Sequence, residues 1–493
     1  MQPVVRCIKT HATTRPDHVA IVTGQAETSY YELWTQVTTA AAWYRGHGIQ
    51  VGDTVLISAD SRDRYYAAAY FGAHLAGAIA VPTEFRMPAD QIEQRKVFVA
   101  SKFVVFGERL AEFRKLLETS TSDVHSDAAS NVPQLSDPAE IMFTTGSTGE
   151  PKGVTLSHAN IAASAELIRK FVGNAADDRE VVTVPLTHSF GLGRLRATVL
   201  SGGTIVLVPG MTFPQLTVRA LRDQAATGLA CVPAGMSVLM SKYKDILSEI
   251  AGQLKYLEMG SMRFPSAHKI KLREILPDTR LCMHYGLTEA SRSTFMEFHS
   301  DKDHLDSVGK PSPGVEISIM DESGSPVPAG ETGLIHVRAE TVMLGYWNDV
   351  ERTEQVLNRD SGWLNTEDLG YRDTDGYVYF LGRADDVINT GGVNILPDDA
   401  EIYAKEFIGV EDCGCIGIPD PDGILGEIPM LFIASNDKAL DLSELSRFVR
   451  NRLGRDVPTI MIRLVSSIPR SSSGKLLRRE LRSIFDNDKN PDV

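Results

Sequence analysis

Long apolar runs, positive net charge and evenly paired cysteines are all missing from this chain of 493 residues. The most apolar stretch, Tyr65 to Val81, is interrupted by Gly72, His74 and Gly77. It falls short of the roughly 20 residues that a membrane span needs. It reads as a buried helix, Arg64 to Ala76, turning at Gly77 into a strand from Ala78 to Val81. The opening Met1-Gln2-Pro3-Val4-Val5-Arg6 lacks an apolar segment of signal-peptide length, so a soluble, cytoplasmic protein with no membrane span is expected. A net charge of −14 argues against nonspecific nucleic-acid binding and against attraction to an anionic membrane. Any anionic substrate must therefore be held by local donors. Cysteines number five, an odd count that suits reduced thiols. Cys413-Gly414-Cys415 is too tightly spaced for a zinc pair and has no second pair to complete a site.

What is present is an ordinary globular composition, 43% hydrophobic and 23% charged, over a length that calls for two or three domains. From Met1 to about Asn131 helical and strand patterns alternate: Ala20 to Val22 and Thr54 to Ser58 as strands, Tyr30 to Tyr44 as a helix. Such alternation implies parallel sheets covered by helices. The rhythm continues with strands at Val181 to Leu186, Thr204 to Val208 and Leu229 to Pro233, and a helix at Leu216 to Ala226.

One run concentrates unusual chemistry. Thr144-Thr145-Gly146-Ser147-Thr148-Gly149-Glu150-Pro151-Lys152-Gly153 follows the short apolar strand Ala139 to Phe143 and precedes a helix-like run from Ala159 to Val172. Glycines allow close backbone approach, while hydroxyls and a lysine supply donors beside a single carboxylate, which suits a polyphosphate. Alone, the run equally suits a flexible surface loop. It does not fit G-x-x-x-x-G-K-[ST], because Gly153 follows Lys152.

Further motifs follow in order: Pro185-Leu186-Thr187-His188-Ser189-Phe190-Gly191, Met259-Gly260-Ser261, His284-Tyr285-Gly286-Leu287-Thr288-Glu289-Ala290, Thr366-Glu367-Asp368, Leu381-Gly382-Arg383-Ala384-Asp385, Thr390-Gly391-Gly392 and Pro469-Arg470-Ser471-Ser472-Ser473-Gly474-Lys475. Taken singly, a histidine at a strand end or a lysine in a basic run is more often structural or solvated. Taken together with the first loop, they resemble the adenylate-forming superfamily: acyl-CoA and aryl-CoA ligases, luciferases and the adenylation domains of peptide synthetases.

The resemblance covers essentially the whole chain and implies its fold class: α/β, with two parallel sheets plus a small barrel-like sheet in a large N-terminal domain (1–383), then a small mobile α+β domain (384–493). It also implies ATP, Mg²⁺ and coenzyme A, or the phosphopantetheine of an acyl carrier protein, as cofactors or partners. Thr144, Thr145, Gly146, Ser147, Thr148, Gly149 and Lys152 match the phosphate loop. Gly260, Ser261, Tyr285 and Gly286 match positions against adenine and the acyl group, and Thr288 the α-phosphate contact. Glu289 and Thr148 match the Mg²⁺ ligands, Asp368 and Arg383 the ribose contacts, and Asp385 the pivot. Gly391 and Gly392 match the thiol tunnel, while Lys475, His188 and Glu289 match the catalytic positions.

Two departures stand out. Thr187-His188-Ser189-Phe190 lacks the aspartate with which amino-acid-activating relatives pair an ammonium, which implies a carboxylic acid without an α-amino group. Glu367 stands where most relatives have glycine. Arg194, Arg263 and Arg292 lie near pocket motifs and are expected either to pair with a polar or second acidic group of the substrate, or to face solvent or phosphate. Monomer and homodimer remain equally open.

Overall fold

The computed structural model describes residues 2–119, 133–145, 151–391, 393–437, 439–454, 457, 459–471 and 474–487. Local signals set the first elements. Helix Tyr30–Gly46 begins at a reciprocal cap, in which the Glu32 N–H donates to Ser29 Oγ (3.2 Å) and the Ser29 N–H to Glu32 Oε2 (2.8 Å). Every residue of helix Tyr66–Ala76 is buried, and Gly77 ends it at φ 86° before strand Ile79–Pro82. Burying each of its large aromatic side chains contributes about 1.5–3 kcal/mol, which is why this apolar run lies inside the protein.

Two sheets dominate. The nine-stranded sheet runs in the order Lys310–Pro311, Thr294–Glu297, Arg280–Tyr285, Tyr256–Met259, Gly228–Cys231, Arg179–Val182, Thr204–Leu207, Val19–Thr23, Ala26–Ser29. Its six strands from Arg280–Tyr285 to Val19–Thr23 are parallel and its margins antiparallel. The six-stranded sheet runs Gly345–Tyr346, Pro151–Ser157, Pro138–Thr145, Ile79–Pro82, Thr54–Ile57, Phe103–Val105, with the last four parallel. The parallel cores expected from the alternation thus carry antiparallel edges. Lys310–Pro311 joins the larger sheet rather than the barrel-like one.

The barrel-like unit is a five-stranded antiparallel sheet of Glu316–Met320, Gly333–Arg338, Trp363–Arg372, Leu357–Asn358 and Val378–Arg383. Beyond it lie a hairpin, Ile388–Thr390 with Val393–Ile395, and a three-stranded sheet of Asp412–Pro419, Glu427–Ala434 and Met461–Val465. Helices Pro397–Glu406, Leu442–Leu453 and Arg478–Asn487 complete this part. Its two buried apolar clusters contain no described residue before Ile388. All five cysteines are free thiols, and Cys413 and Cys415 are buried in one of those clusters. Among the described residues no helix is long and apolar enough to cross a membrane.

Candidate active site

The described ends of the phosphate-type run belong to the two strands of a β-hairpin. Strand Pro138–Thr145 pairs with Pro151–Ser157, setting Thr144 opposite Lys152 and Thr145 opposite Pro151. Gly146, Ser147, Thr148 and Gly149 lie outside the described residues. Lys152 is 8% exposed, and its Nζ lies 5.1 Å from the centre of the Tyr346 ring. Among the described residues it has no carboxylate within 4.0 Å. Burial lowers its pKa; Glu367 and Glu289 pull upward, Arg352 and Arg383 downward. A largely buried ammonium with no carboxylate partner among the described residues suits an incoming anion.

Around it the later motifs converge. Tyr285, at the end of strand Arg280–Tyr285, donates its hydroxyl to Asp368 Oδ2 (2.6 Å). Arg383 donates to Asp368 Oδ1 (3.0 Å), to the Thr366 carbonyl (2.9 Å) and to Glu367 Oε2 (3.1 Å). Burial pushes the Asp368 carboxyl up, while Arg383, Tyr285 and the charge of Lys475 oppose it. Both Asp368 oxygens thus already hold donors, and a ribose diol binding there must share or displace them. Glu289 Oε1 accepts the Tyr346 hydroxyl at 3.1 Å. A cavity of about 20 Å³ remains between Glu289, Tyr346, Glu367 and Arg383, with Leu287 and Thr366 also in its wall. Thr288 is half-buried beside it, and Gly286 is held in a turn where a Cβ would lie 2.6 Å from the Arg292 nitrogen.

A second group forms on the side of the expected acid. His188 caps helix Ser189–Ser201, and its Nε2 lies 3.9 Å from Glu84 Oε1; burial lowers its pKa against the pull of Glu84. Phe190 meets His284 edge-on at 4.8 Å. The His284 ring lies so close to Gly260 that a Cβ there would sit 2.1 Å from Cε1, so only glycine fits. Ser261 follows at φ 74° and is exposed.

The small domain contributes Lys475, whose exposed side chain is near enough to act on Asp368. Its loop is held by the Lys475 N–H on Ser471 Oγ (3.1 Å) and by the Arg470 pair with Asp412 (2.7 and 2.6 Å). Asp385 lies in the short turn Ala384–Asp386, next to Arg383. Gly391 forms a hairpin tip at φ 61°, donating to the Leu425 carbonyl, while Gly392 lies outside the described residues. No described contact joins His188 or Gly391 to the Asp368 cluster.

Each of the three arginines has a protein partner, and two of them are buried. Arg194, 0% exposed, donates twice to Glu180 (2.6 Å each) and once to Glu258 (2.7 Å). Arg292 is buried at φ 59°, 3.3 Å from Glu258 and over the Phe190 ring. Burial alone would raise Glu258, but Arg292, Arg194 and His284 together hold it well below the usual carboxylate range. All three side chains, Arg194, Arg292 and Glu258, are buried from solvent. Arg263 pairs with Asp399 of the small domain at 3.0 Å. Arg194 therefore directs its hydrogen bonds to Glu180, Glu258 and Asn174, where the sequence leaves open a substrate, solvent or phosphate contact, and each of the other two has a protein partner. Sequence reading gave no role to Tyr346, although Gly345-Tyr346-Trp347 marks it, nor to His284 or Glu367.

The comparisons agree with this architecture. Residues 8–347 match the model of the family described as AMP-binding enzyme, and residues 404–475 that of the AMP-binding enzyme C-terminal domain. A feruloyl-CoA synthase of Amycolatopsis sp is 30% identical over 492 residues, covering 96% of this chain and 97% of that protein. A fatty acid–[acyl-carrier-protein] ligase, MmaC of Mycobacterium marinum, is 29% identical, covering 97% of each. The crystal structure of ATP-bound MatB from Rhodopseudomonas palustris superposes with a TM-score of 0.88 at 23% identity, over 99% of this chain and 100% of that one.

Proposed function

The chain belongs to the AMP-binding enzyme family, and from that premise we propose that it is a cytoplasmic ligase activating a carboxylic acid without an α-amino group. The acid's carboxylate oxygen attacks the α-phosphorus of ATP; the bond to the bridging oxygen breaks, and acyl-AMP and pyrophosphate form. The thiol of coenzyme A then attacks the acyl carbon, and AMP leaves. The observation that carries this reading is the convergence of Lys152, an ammonium without a described carboxylate partner, with Asp368, Arg383 and the small-domain Lys475.

In this reading Lys152, Thr144 and Thr145, with Gly146 to Gly149, hold the phosphates that depart. Tyr285 stacks on adenine beside Gly260, Ser261 and Gly286, Thr288 bonds the α-phosphate, and Asp368 and Arg383 hold the ribose. Lys475 places its charge where the pentavalent phosphorus gains negative charge. His188 faces the acid. Glu289, together with Thr148, would hold Mg²⁺; its Oε2 has no hydrogen-bond partner among the described residues, and a carboxylate oxygen suits this hard cation. The ion would screen phosphate charge. Residues 1–383 form the large domain, and 384–493 turn about Asp385 to bring Gly391 and Gly392 beside a thiol channel.

The carrier-protein ligase among the relatives supports a second reading, in which the acceptor is a carrier-bound phosphopantetheine. Pyrophosphate exchange across a panel of acids, followed by thioester formation with coenzyme A and with holo carrier protein, tests both. Acid-dependent exchange with thioester on coenzyme A is expected. Exchange with thioester only on the carrier would favour the second reading, and no acid-dependent exchange would end both.

A further inference from the structure

One described hydrogen-bonded ion pair between the large and small domains lies at a short turn. Met262 Sδ lies 3.9 Å from where a Cβ of Gly474 would stand, and the next residue, Arg263, donates from Nη1 to Asp399 Oδ1 at 3.0 Å. Among the described residues Arg263 has no carboxylate partner in its own domain. Asp399 lies in the first turn of helix Pro397–Glu406 beside Asp398, and the two aspartates point to different partners. Asp398 binds Arg478, which also donates to Glu401 (2.8 Å) and lies 3.8 Å from Asp386 of the turn after Arg383. Arg478 opens the helix that begins three residues after Lys475. One helix end therefore links an arginine of the large domain to the segment that carries Lys475.

We propose that Arg263 and Asp399 are a positioning pair: their contact holds the small domain in the orientation that brings Lys475 over the nucleotide cleft, and it must break for the second half-reaction. The inference rests on the adenylation reading given above. Both side chains are partly exposed, 39% and 35%, so the contact is weak enough to break in each cycle. Neither residue touches the substrate. Loss of the pair changes how often Lys475 is in place rather than how well the acid binds.

The test uses the full chain as Arg263→Ala, Arg263→Lys and Asp399→Asn, with two readouts. Amide hydrogen exchange without nucleotide, over 397–406 and around Lys475, is expected to speed up several-fold in Arg263→Ala and Asp399→Asn and to stay near wild type in Arg263→Lys. Acid-dependent pyrophosphate exchange is expected to lose about 2–5-fold in kcat at unchanged KM for the acid, the factor a part-exposed ion pair supplies. Thioester formation from supplied acyl-AMP should be kept or faster. Unchanged protection, equal losses in both half-reactions, or a raised KM with kcat kept would overturn the pair. Absent acid-dependent exchange in the wild type would overturn the adenylation reading instead, while the protection data still decide whether the contact holds the domains.

Discussion

Two groups of cations, similar in sequence, differ in what the protein leaves them to do. Beneath the acid side, Arg194 and Arg292 are 0% and 1% exposed and share Glu180 and Glu258, two cations against two anions. In the terminal basic run, Arg470 and Arg478 are also paired, but between them Lys475 is exposed with no described carboxylate within 4.0 Å. Lys152 in the cleft is likewise unpaired among the described residues. A buried, compensated charge is architecture, because removing its partner costs more than any substrate contact returns. The uncompensated lysines are the charges available to phosphate.

The sharpest way to break this contrast is Arg194→Met. It leaves Glu180 and Glu258 short of their best partner, and an expected loss of about 3–5 kcal/mol should appear as a lowered unfolding midpoint. A variant that folds normally but changes its preference among acids would instead make Arg194 a substrate contact. A smaller effect comes from His284, whose pKa burial lowers to about 4. Its unfolded value is near 6.5, so the unfolded chain binds more protons between these pH values. Stability is then full above about pH 6.5 and falls toward pH 4, by up to ~3 kcal/mol from this group. His284→Asn should flatten that part of the profile; an unchanged slope in urea unfolding from pH 7 to 5 would contradict it. The smallest effect is Glu367→Gly. At φ 60° the glutamate pays a left-handed penalty of about 1–2 kcal/mol, offset by a part-exposed contact with Arg383 worth about 0–1 kcal/mol. Glycine should raise stability by about 0.5–1 kcal/mol, and a lowered thermal midpoint would show the contact to be the larger.

Most of the fold was legible because its signals are local. The buried helix at Tyr66–Ala76 and its stop at Gly77 follow from an apolar run and its glycine, and the helix Tyr30–Gly46 from its local pattern. The antiparallel edges were not, because a strand's partner depends on contacts far along the chain. The pairing of Pro151–Ser157 with Pro138–Thr145 in a hairpin is one of these antiparallel contacts. Among site residues, Tyr285, Asp368, Arg383 and Lys475 sit in recognisable motifs, and three of them bond to one another. The buried pairing of Arg194 and Arg292 was not legible, because proximity to a motif in sequence says nothing about burial. Tyr346 was passed over because its partners, Glu289 in a loop and Lys152 at a strand end, lie far from it in sequence.

The division of labour between compensated and free cations is tested most directly by Lys475→Ala, with the two half-reactions measured separately. The expected result is loss of acid-dependent pyrophosphate exchange by about 10²–10³-fold, the range for removing one charge-stabilising donor. Thioester formation from supplied acyl-AMP should remain largely intact. Equal losses in both half-reactions, or exchange at the wild-type rate, would contradict the account.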